Sequence, residues 1–292
     1  MSTDHNDYFL AIITPTYRRP DRIYRLHNAL CSLKKPDGMQ WLHVVVDDAS
    51  PDISEYGLQK SAETLIMHCR EKNGGPLKAR NDGIDIAIKL GANILAFIDD
   101  DDLPTGTFFE HVDRMWRRYR DVGWFISRCQ FIGEVVPSSK EAFLESGLYD
   151  YIDNLVIKKS FSQDLMHVIT ASRLKGLRFS KIGRYQREWT LLLKVAKKGP
   201  FYYDNLVTKV SEYLPNGITR TRTLGSAIQS QFNMIDKTVS IFFHRPLNFR
   251  LFARLVSQIA LFTPRLICIL VLYFYRHTMS IKSSLMRLRS KC

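Results

Sequence analysis

The chain has 292 residues, 45% of them hydrophobic, which allows a substantial core and excludes global disorder. Its 42 Lys and Arg against 29 Asp and Glu give a formal charge of +13, which points to an anionic partner: nucleic acid, a membrane surface or a phosphorylated substrate. Five scattered cysteines, Cys31, Cys69, Cys129, Cys268 and Cys292, include no Cys-x-x-Cys pair; this argues against a disulfide framework or structural zinc and fits a reducing compartment. The polar start, Met1 to Asp7, predicts no secretory signal.

In chain order, Phe9 to Ile13 is a short apolar run of strand type that stops at the loop Thr14-Pro15-Thr16-Tyr17-Arg18-Arg19-Pro20. Ile23, Leu26, Leu30 and Leu33 then recur at helical spacing. Trp41 to Val46 reads as a second strand, ending in Asp47-Asp48-Ala49-Ser50-Pro51-Asp52. Thr64 to His68 is a third. It leads through Glu71–Gly83 into a helix whose apolar face is Ile84, Ala87, Ile88 and Leu90. The next strand, 94–98, runs straight into Asp99-Asp100-Asp101-Asp102. This alternation predicts a parallel sheet covered on both faces. Its polar strand-end loops then gather on one edge as a composite site.

The four aspartates are the sharpest feature. Adjacent like charges repel, and a divalent cation relieves them because hard cations take carboxylate oxygens and share coordination with phosphates. Ligands of open α/β sheets also bind beyond the carboxyl ends of the strands. The alternative is a solvated acidic turn, the ordinary meaning of a short charge run.

Phe108 to Tyr119 reads as a helix with Phe109, Val112, Met115 and Trp116 as a core stripe, and 123–132 as a strand. The pattern weakens over 135–157, with a short helix expected at Glu141–Ser146. His167 to Thr170 is a strand in which a lone histidine is ordinarily packed. Ile182 to Gln186 leads into Arg187-Glu188-Trp189, and a helix follows over Leu191–Lys198, ended by Gly199-Pro200. Phe201–Asp204 and Leu206–Val210 read as β-structure, and Pro215–Arg222 as a basic loop.

Beyond Asp236 there is no acidic residue, but ten Lys or Arg, from Lys237 to Lys291. Phe249 to Phe262 is amphipathic, with Arg250, Arg254, Ser257 and Gln258 on one face and Phe252, Leu255, Ile259 and Phe262 on the other. Leu266 to Tyr275 is an uncharged apolar run, too short for a bilayer that needs about 20 residues. The pattern predicts attachment to an anionic membrane surface; a transmembrane helix, or a soluble bundle or dimer interface, is the alternative. Nucleic acid is not expected, since the cations are interleaved with an aliphatic stripe and no recognition motif is present.

Four separated pieces occur in order, each beside a strand end: Pro15-Thr16-Tyr17-Arg18; Val46-Asp47-Asp48-Ala49-Ser50-Pro51-Asp52; Asn73-Gly74-Gly75 with Ala79-Arg80-Asn81; and Phe97-Ile98-Asp99-Asp100-Asp101-Asp102. In these, over about residues 9–215, the chain resembles the family 2 glycosyltransferases, nucleotide-sugar enzymes of GT-A fold. The resemblance implies an α/β, Rossmann-like, mostly parallel sheet flanked by helices. It implies a catalytic domain over 1–236, with a nucleotide-binding half at 9–104 and an acceptor half at 105–236; the basic, helical tail 237–292 follows.

The resemblance also implies roles. Pro15, Tyr17 and Arg18 border the nucleotide; Asp48, with Asp47, accepts a hydrogen bond from the base; Arg80 and Asn81 lie near the base or diphosphate. Asp99 and Asp101 match the Asp-x-Asp that holds a divalent metal, Mn2+ or Mg2+, and Asp100 meets the ribose or a metal-bound water. Glu188 falls where the family places its catalytic base, although an aspartate is more common there; Asp164 and Asp204 are secondary candidates. Arg220 and Arg222 are candidates for closing over the diphosphate.

Each residue also has a plainer reading: a turn and helix cap at 47–50, a surface ion pair for Arg80, a helix N-terminal carboxylate for Glu188, core for Trp189, and a loop or helix start for Asp102. The implied activity is inverting transfer of a sugar from a nucleotide-diphosphate donor, a UDP-sugar, to a hydroxyl of a cell-surface glycan or a lipid-linked or lipopolysaccharide acceptor. The expected location is the cytoplasmic face of the membrane. The competing functions are a non-catalytic membrane-associated GT-A-like module and a nucleotide-sugar pyrophosphorylase; the latter lacks a Gly-rich nucleotidyl loop near the N-terminus.

Overall fold

The computed structural model describes residues 7–51, 64–132, 144–157, 164–180, 187–212, 224–242, 256, 257 and 260. Strand β1 (Tyr8–Thr16) is followed by α1 (Pro20–Ser32), β2 (Met39–Asp47), β3 (Leu65–Cys69), α2 (Pro76–Lys89), β4 (Ile94–Phe97) and the short β5 (Asp102–Pro104). Then come α3 (Phe108–Tyr119), β6 (Trp124–Ile132), β7 (Gly147–Tyr149), a π-helical turn at Ile152–Ile157, β8 (Leu165–Thr170), the single turn α4 (Ala171–Leu174), α5 (Trp189–Ala196), β9 (Phe201–Glu212) and α6 (Leu224–Phe242).

Among the described residues, nine strands form one sheet in the order β3-β2-β1-β4-β8-β6-β9-β5, with β7 also paired to β9. The parallel expectation holds for β3, β2, β1 and β4. Beyond β4 the sheet is mixed: β8 is antiparallel to both β4 and β6, and β5 and β7 are antiparallel to β9.

The two faces of the sheet follow from alternation along β1 and β2. Leu10 and Ile12 pack in one cluster with Leu26 and Leu30 of α1 and Phe109, Val112 and Met115 of α3. Ile13 and Val46 point the other way, to α2. There Gly83 comes so close that a Cβ would stand 2.5 Å from Ile13 Cγ2. Glycine lets this helix lie directly on the strands.

Several boundaries differ from those expected, each for a local reason. β1 continues through Thr14-Pro15-Thr16 because these residues pair with Val45, Val46 and Asp47 of β2, and both threonine side chains are buried with polar partners. α2 begins at Pro76 rather than after Gly83: Pro76 has the fixed φ that suits a first helical position, and Gly75 precedes it at φ +88°. Arg80 and Asn81 are therefore helical residues, not loop residues. Asp102 opens β5 rather than a helix, and the two β-segments expected at 201–210 are the single strand β9.

Residues 144–146 of the expected short helix are not helical. The rest of that helix, Ile182–Gln186, the Pro215–Arg222 loop with Arg220 and Arg222, and the 266–275 run lie outside the described residues. Contacts divide the chain into two units, Met1–Leu214 and Pro215–Cys292. Within the second, α6 buries Asn233, Thr238 and Ile241. Among the described residues no helix is long and apolar enough to cross a membrane.

Candidate active site

The loops after β1, β2 and β4 and the start of α2 meet at the carboxyl edge of the parallel strands. Each is strapped to its neighbour. Asp48 N donates to Thr16 O at 2.9 Å, and Arg18 N donates to Ser50 Oγ at 2.8 Å. Arg18 and Ala49 hold positive φ, +56° and +64°. Conformations of this kind cost roughly 1 kcal/mol or more and persist where surrounding bonds impose them.

Asp47 is fully buried and makes the turn contact: its carboxylate accepts from Ser50 N at 2.7 Å and Ser50 Oγ at 2.6 Å. Asp48 explains the Gly-Gly pair. Its oxygens accept from Gly74 N at 2.9 Å, Gly75 N at 2.7 Å and Arg70 Nη1 at 2.5 Å, so this one carboxylate fixes the entry of α2. Pro15 is buried at the end of β1, Tyr17 is exposed, and the Arg18 guanidinium lies 5.1 Å from the centre of the Tyr17 ring.

The four aspartates alternate in environment. Asp100 and Asp102 are buried, while the side chains of Asp99 and Asp101 are 43% and 31% exposed. Asp100 accepts from Thr16 Oγ1 at 2.8 Å and Arg19 Nη1 at 2.7 Å. Asp102 is bound by Lys209 Nζ at 2.7 Å and by the Ser211 hydroxyl. Asp99 Oδ1 takes Arg80 Nη2 at 2.5 Å, and Asp101 faces Arg19 at 3.7 Å, too long for a hydrogen bond. Burial and the charges of Asp99 and Asp100 push the Asp101 carboxyl up to about 6.

Two partly open, oxygen-only side chains one residue apart suit a hard divalent cation that completes its shell with phosphate and water. Among the described residues no group of three or more His, Cys, Asp or Glu could hold an ion on protein ligands alone.

Arg80 is buried between two carboxylates. Besides Asp99, its Nη1 lies 3.4 Å from Glu188 Oε1. Burial alone would lower its pKa, but the charges of Asp99 and Glu188 outweigh that and raise it. Glu188 occupies the N-cap position of α5 and makes no capping bond; its side chain is 46% exposed. Asn81 exchanges two bonds with the backbone of Phe179: its Nδ2 donates to Phe179 O at 3.2 Å and its Oδ1 accepts from Phe179 N at 2.8 Å. The Ser180 amide in turn donates to Thr190 Oγ1 at 3.0 Å. Helix α2 thus carries one residue that meets the aspartate loop and one that holds the segment leading to α5.

The secondary candidates separate. Asp204 is buried against α3, bound by His111 Nδ1 at 2.9 Å, by the Arg114 guanidinium and by Ser146, so its oxygens are committed to packing. Asp164 stays half open and is held by Lys209. Trp189 is buried, as a core residue should be. His167 is packed against Trp124, and burial pushes its imidazole down to about 4.

The sequence reading missed Arg19, Arg70 and Lys209. Arg19 sat unassigned in the cationic Tyr17-Arg18-Arg19 loop. Lys209 carried a usable signal, lying between Val207 and Val210 in the β-segment read at 206–210, where it is the one charged residue and an ammonium needs buried partners.

The family model for glycosyl transferase family 2 matches residues 11–168, more than half of the chain. The chain belongs to glycosyl transferase family 2. It is 30% identical over 123 residues to the succinoglycan biosynthesis protein ExoW of Rhizobium meliloti, a match covering 41% of this chain and 36% of ExoW. The fold resembles S. aureus TarS 1–349, with a TM-score of 0.62 at 19% identity over 80% of this chain and 65% of that one. It also resembles the same TarS fragment in complex with UDP-GlcNAc, with a TM-score of 0.65 at 18% identity over 80% of this chain and 66% of that one. The family-matched stretch holds every site residue of the first half, from Pro15 to Asp101. The chain spans about a third of the length of ExoW.

Proposed function

We propose that the chain transfers a sugar, with inversion, from a UDP-sugar to a hydroxyl of a cell-envelope glycan or lipid-linked acceptor. The observation that carries this is Arg80: one buried guanidinium pairs with Asp99 of the aspartate loop and reaches Glu188. A metal-side carboxylate and a solvent-accessible base are thereby held at one point on the sheet edge. The donor is supported by family membership and by the UDP-GlcNAc bound to a protein of the same fold. The envelope acceptor is supported by the succinoglycan role of ExoW.

Pro15, Tyr17 and Arg18, with the Asp47–Asp48 turn, are assigned to the nucleoside. Asp100 is assigned to the ribose side, Asn81 to the α2 side of the donor, and Arg220 and Arg222 to the diphosphate. Asp99 and Asp101 are assigned to Mn2+ or Mg2+, which when bound neutralises charge on the diphosphate leaving group. The chain's own contribution is to orient and to move one proton. Arg80 and Arg19 keep the carboxylates apart and in place. Glu188 takes the proton of the acceptor hydroxyl as its oxygen bonds to the anomeric carbon and the bond to the diphosphate breaks. A single base opposite a stable leaving group gives direct displacement, and a positioned base contributes roughly 10²–10⁴-fold in rate.

The catalytic domain is assigned to 1–236. The basic stretch 237–292 is assigned to the anionic inner surface of the membrane, on its ten cations without an acid. Two experiments test these readings. Purified chain is incubated with a panel of UDP-sugars and Mn2+, and released UDP is measured with and without acceptor glycosides; no release with any donor rejects the reaction. A chain ending at Thr238 is compared with the full chain for binding to vesicles containing phosphatidylglycerol; equal binding rejects the attachment.

A further inference from the structure

Asp164 immediately precedes β8, and topology carries it to the edge where the aspartate loop lies. β8 runs antiparallel to β4, with Ala96 opposite Val168 and Leu95 opposite Ile169, so the start of β8 stands beside the end of β4. Both carboxylate oxygens are held on the protein side: Leu165 N donates to Oδ1 at 3.0 Å and Lys209 Nζ to Oδ2 at 2.7 Å. Lys209 is 5% exposed, and it also binds Asp102 at 2.7 Å. The two carboxylates outweigh burial and keep Lys209 an ammonium.

One buried cation thus ties the last residue of the aspartate loop to Asp164. Two carboxylates on one ammonium leave a net negative charge. Asp102 is enclosed, whereas the Asp164 side chain is 58% exposed, so Asp164 presents that charge outward. Asp164 differs from an ordinary surface ion pair in its partner: Lys209 is buried, so the carboxylate is fixed from the inside while its outer face stays open.

We propose that Asp164 is an acceptor-binding residue, set in place by Lys209, which accepts a hydrogen bond from a sugar hydroxyl of the acceptor. This rests on the transferase reading above. The donor-side residues come from β1, β2, α2 and the loop after β4, whereas Asp164 and Glu188 both follow that loop in the chain. A carboxylate repels a diphosphate and suits a neutral hydroxyl with a proton to give.

The test uses the full chain with UDP-glucose, UDP-galactose, UDP-GlcNAc or UDP-GalNAc, and methyl glycosides of glucose, galactose and N-acetylglucosamine as acceptor probes. Asp164→Asn should raise the acceptor KM roughly tenfold or more, as expected for losing a hydrogen bond to a charged group, while the UDP dissociation constant stays within about twofold. Lys209→Met should raise the acceptor KM in the same direction, and Asp164→Asn added to it should raise it no further, because the two act as one unit. Should Lys209→Met fail to fold, the exposed Asp164→Asn change still decides the matter. An unchanged acceptor KM, or an equal loss of UDP affinity, overturns the assignment of Asp164. A wild-type chain that releases no UDP from any of the four donors overturns the reaction itself.

Discussion

Arg80 donates to Asp99 across 2.5 Å, from a helix to a loop that follows it in the chain. The pair belongs to a pattern: each of the four consecutive aspartates faces a protein cation. Arg19 takes Asp100 and approaches Asp101, and Lys209 takes Asp102. The repulsion that makes the run conspicuous in sequence is relieved by three side chains from three different segments. The run itself therefore does not require a metal for stability. What favours a metal is the alternation, which encloses Asp100 and Asp102 and leaves Asp99 and Asp101 open.

Metal dependence should accordingly appear in binding as well as in turnover. Chelation with EDTA is expected to weaken UDP binding, and Mn2+ to restore it. In Asp101→Ala the UDP dissociation constant should no longer respond to Mn2+, and transfer should fall roughly 100-fold or more, in line with the several kcal/mol a metal supplies to a developing charge. The melting temperature should hold, because Asp101 has no short ion pair to lose. Calorimetric UDP titrations with and without Mn2+ decide it, and an unaltered Mn2+ response in the variant refutes the ligand assignment.

Glu188→Gln should lower kcat by roughly 10²–10⁴, the range for a positioned general base, with little change in UDP affinity. The amide keeps a carbonyl oxygen toward Arg80, and Arg80 keeps Asp99. Single-turnover rates measured beside UDP titrations separate the two effects. A variant with wild-type kcat would place the base elsewhere.

What could be read from the sequence was local. The strands of the first half, the helix 108–119, the aspartate loop and the segment before α5 are legible because each is a contiguous pattern of apolar periodicity or charge. Three things were not. Pro76 as a first helical residue is hidden by the Asn73-Gly74-Gly75 turn before it, so the sequence pattern places Arg80 and Asn81 in a loop although they are helical. The end of β1 was hidden because Thr14 and Thr16 are polar, and only their buried partners, His43 and Asp100, make them strand residues. Lys209 joins Asp102 and Asp164 from 107 and 45 residues away, a meeting that no local pattern encodes.

Gly83 is where α2 touches the sheet, so the position of Arg80 depends on it. In Gly83→Ala the new Cβ would stand 2.5 Å from Ile13 Cγ2, on a buried β-branched side chain with little room to turn. Alanine gains about 1 kcal/mol of helix propensity, but overpacking of a close contact costs about 1–3 kcal/mol. The net expectation is destabilisation, together with reduced transfer as α2 lifts. Urea unfolding of the two proteins measures it, and a more stable variant would show that the contact relaxes freely.

A buried histidine pair sets an acid limit on stability. His43 Nδ1 lies 3.3 Å from His27 Nδ1, and His43 Nε2 lies 3.0 Å from Thr14 Oγ1. Burial, with the His27 charge second, pushes the His43 imidazole down to about 3. The folded chain therefore keeps His43 neutral while the unfolded chain protonates it near pH 6.5. Protons bind the unfolded state more tightly, so stability is full above about pH 6.5 and falls steadily from there towards pH 3. His43 alone should remove about 2 kcal/mol between pH 7 and pH 5. Asp101 and Asp102, each raised to about 6, and Asp100, also raised, work in the opposite sense over part of this window, while His27, His111 and His167, all lowered by burial, act in the same sense as His43. The informative quantity is therefore the difference between variants. Urea unfolding at pH 7 and pH 5 should show a smaller loss in His43→Gln, which can still bond Thr14 but does not titrate. Equal losses in the two proteins would mean that this pair does not set the acid limit.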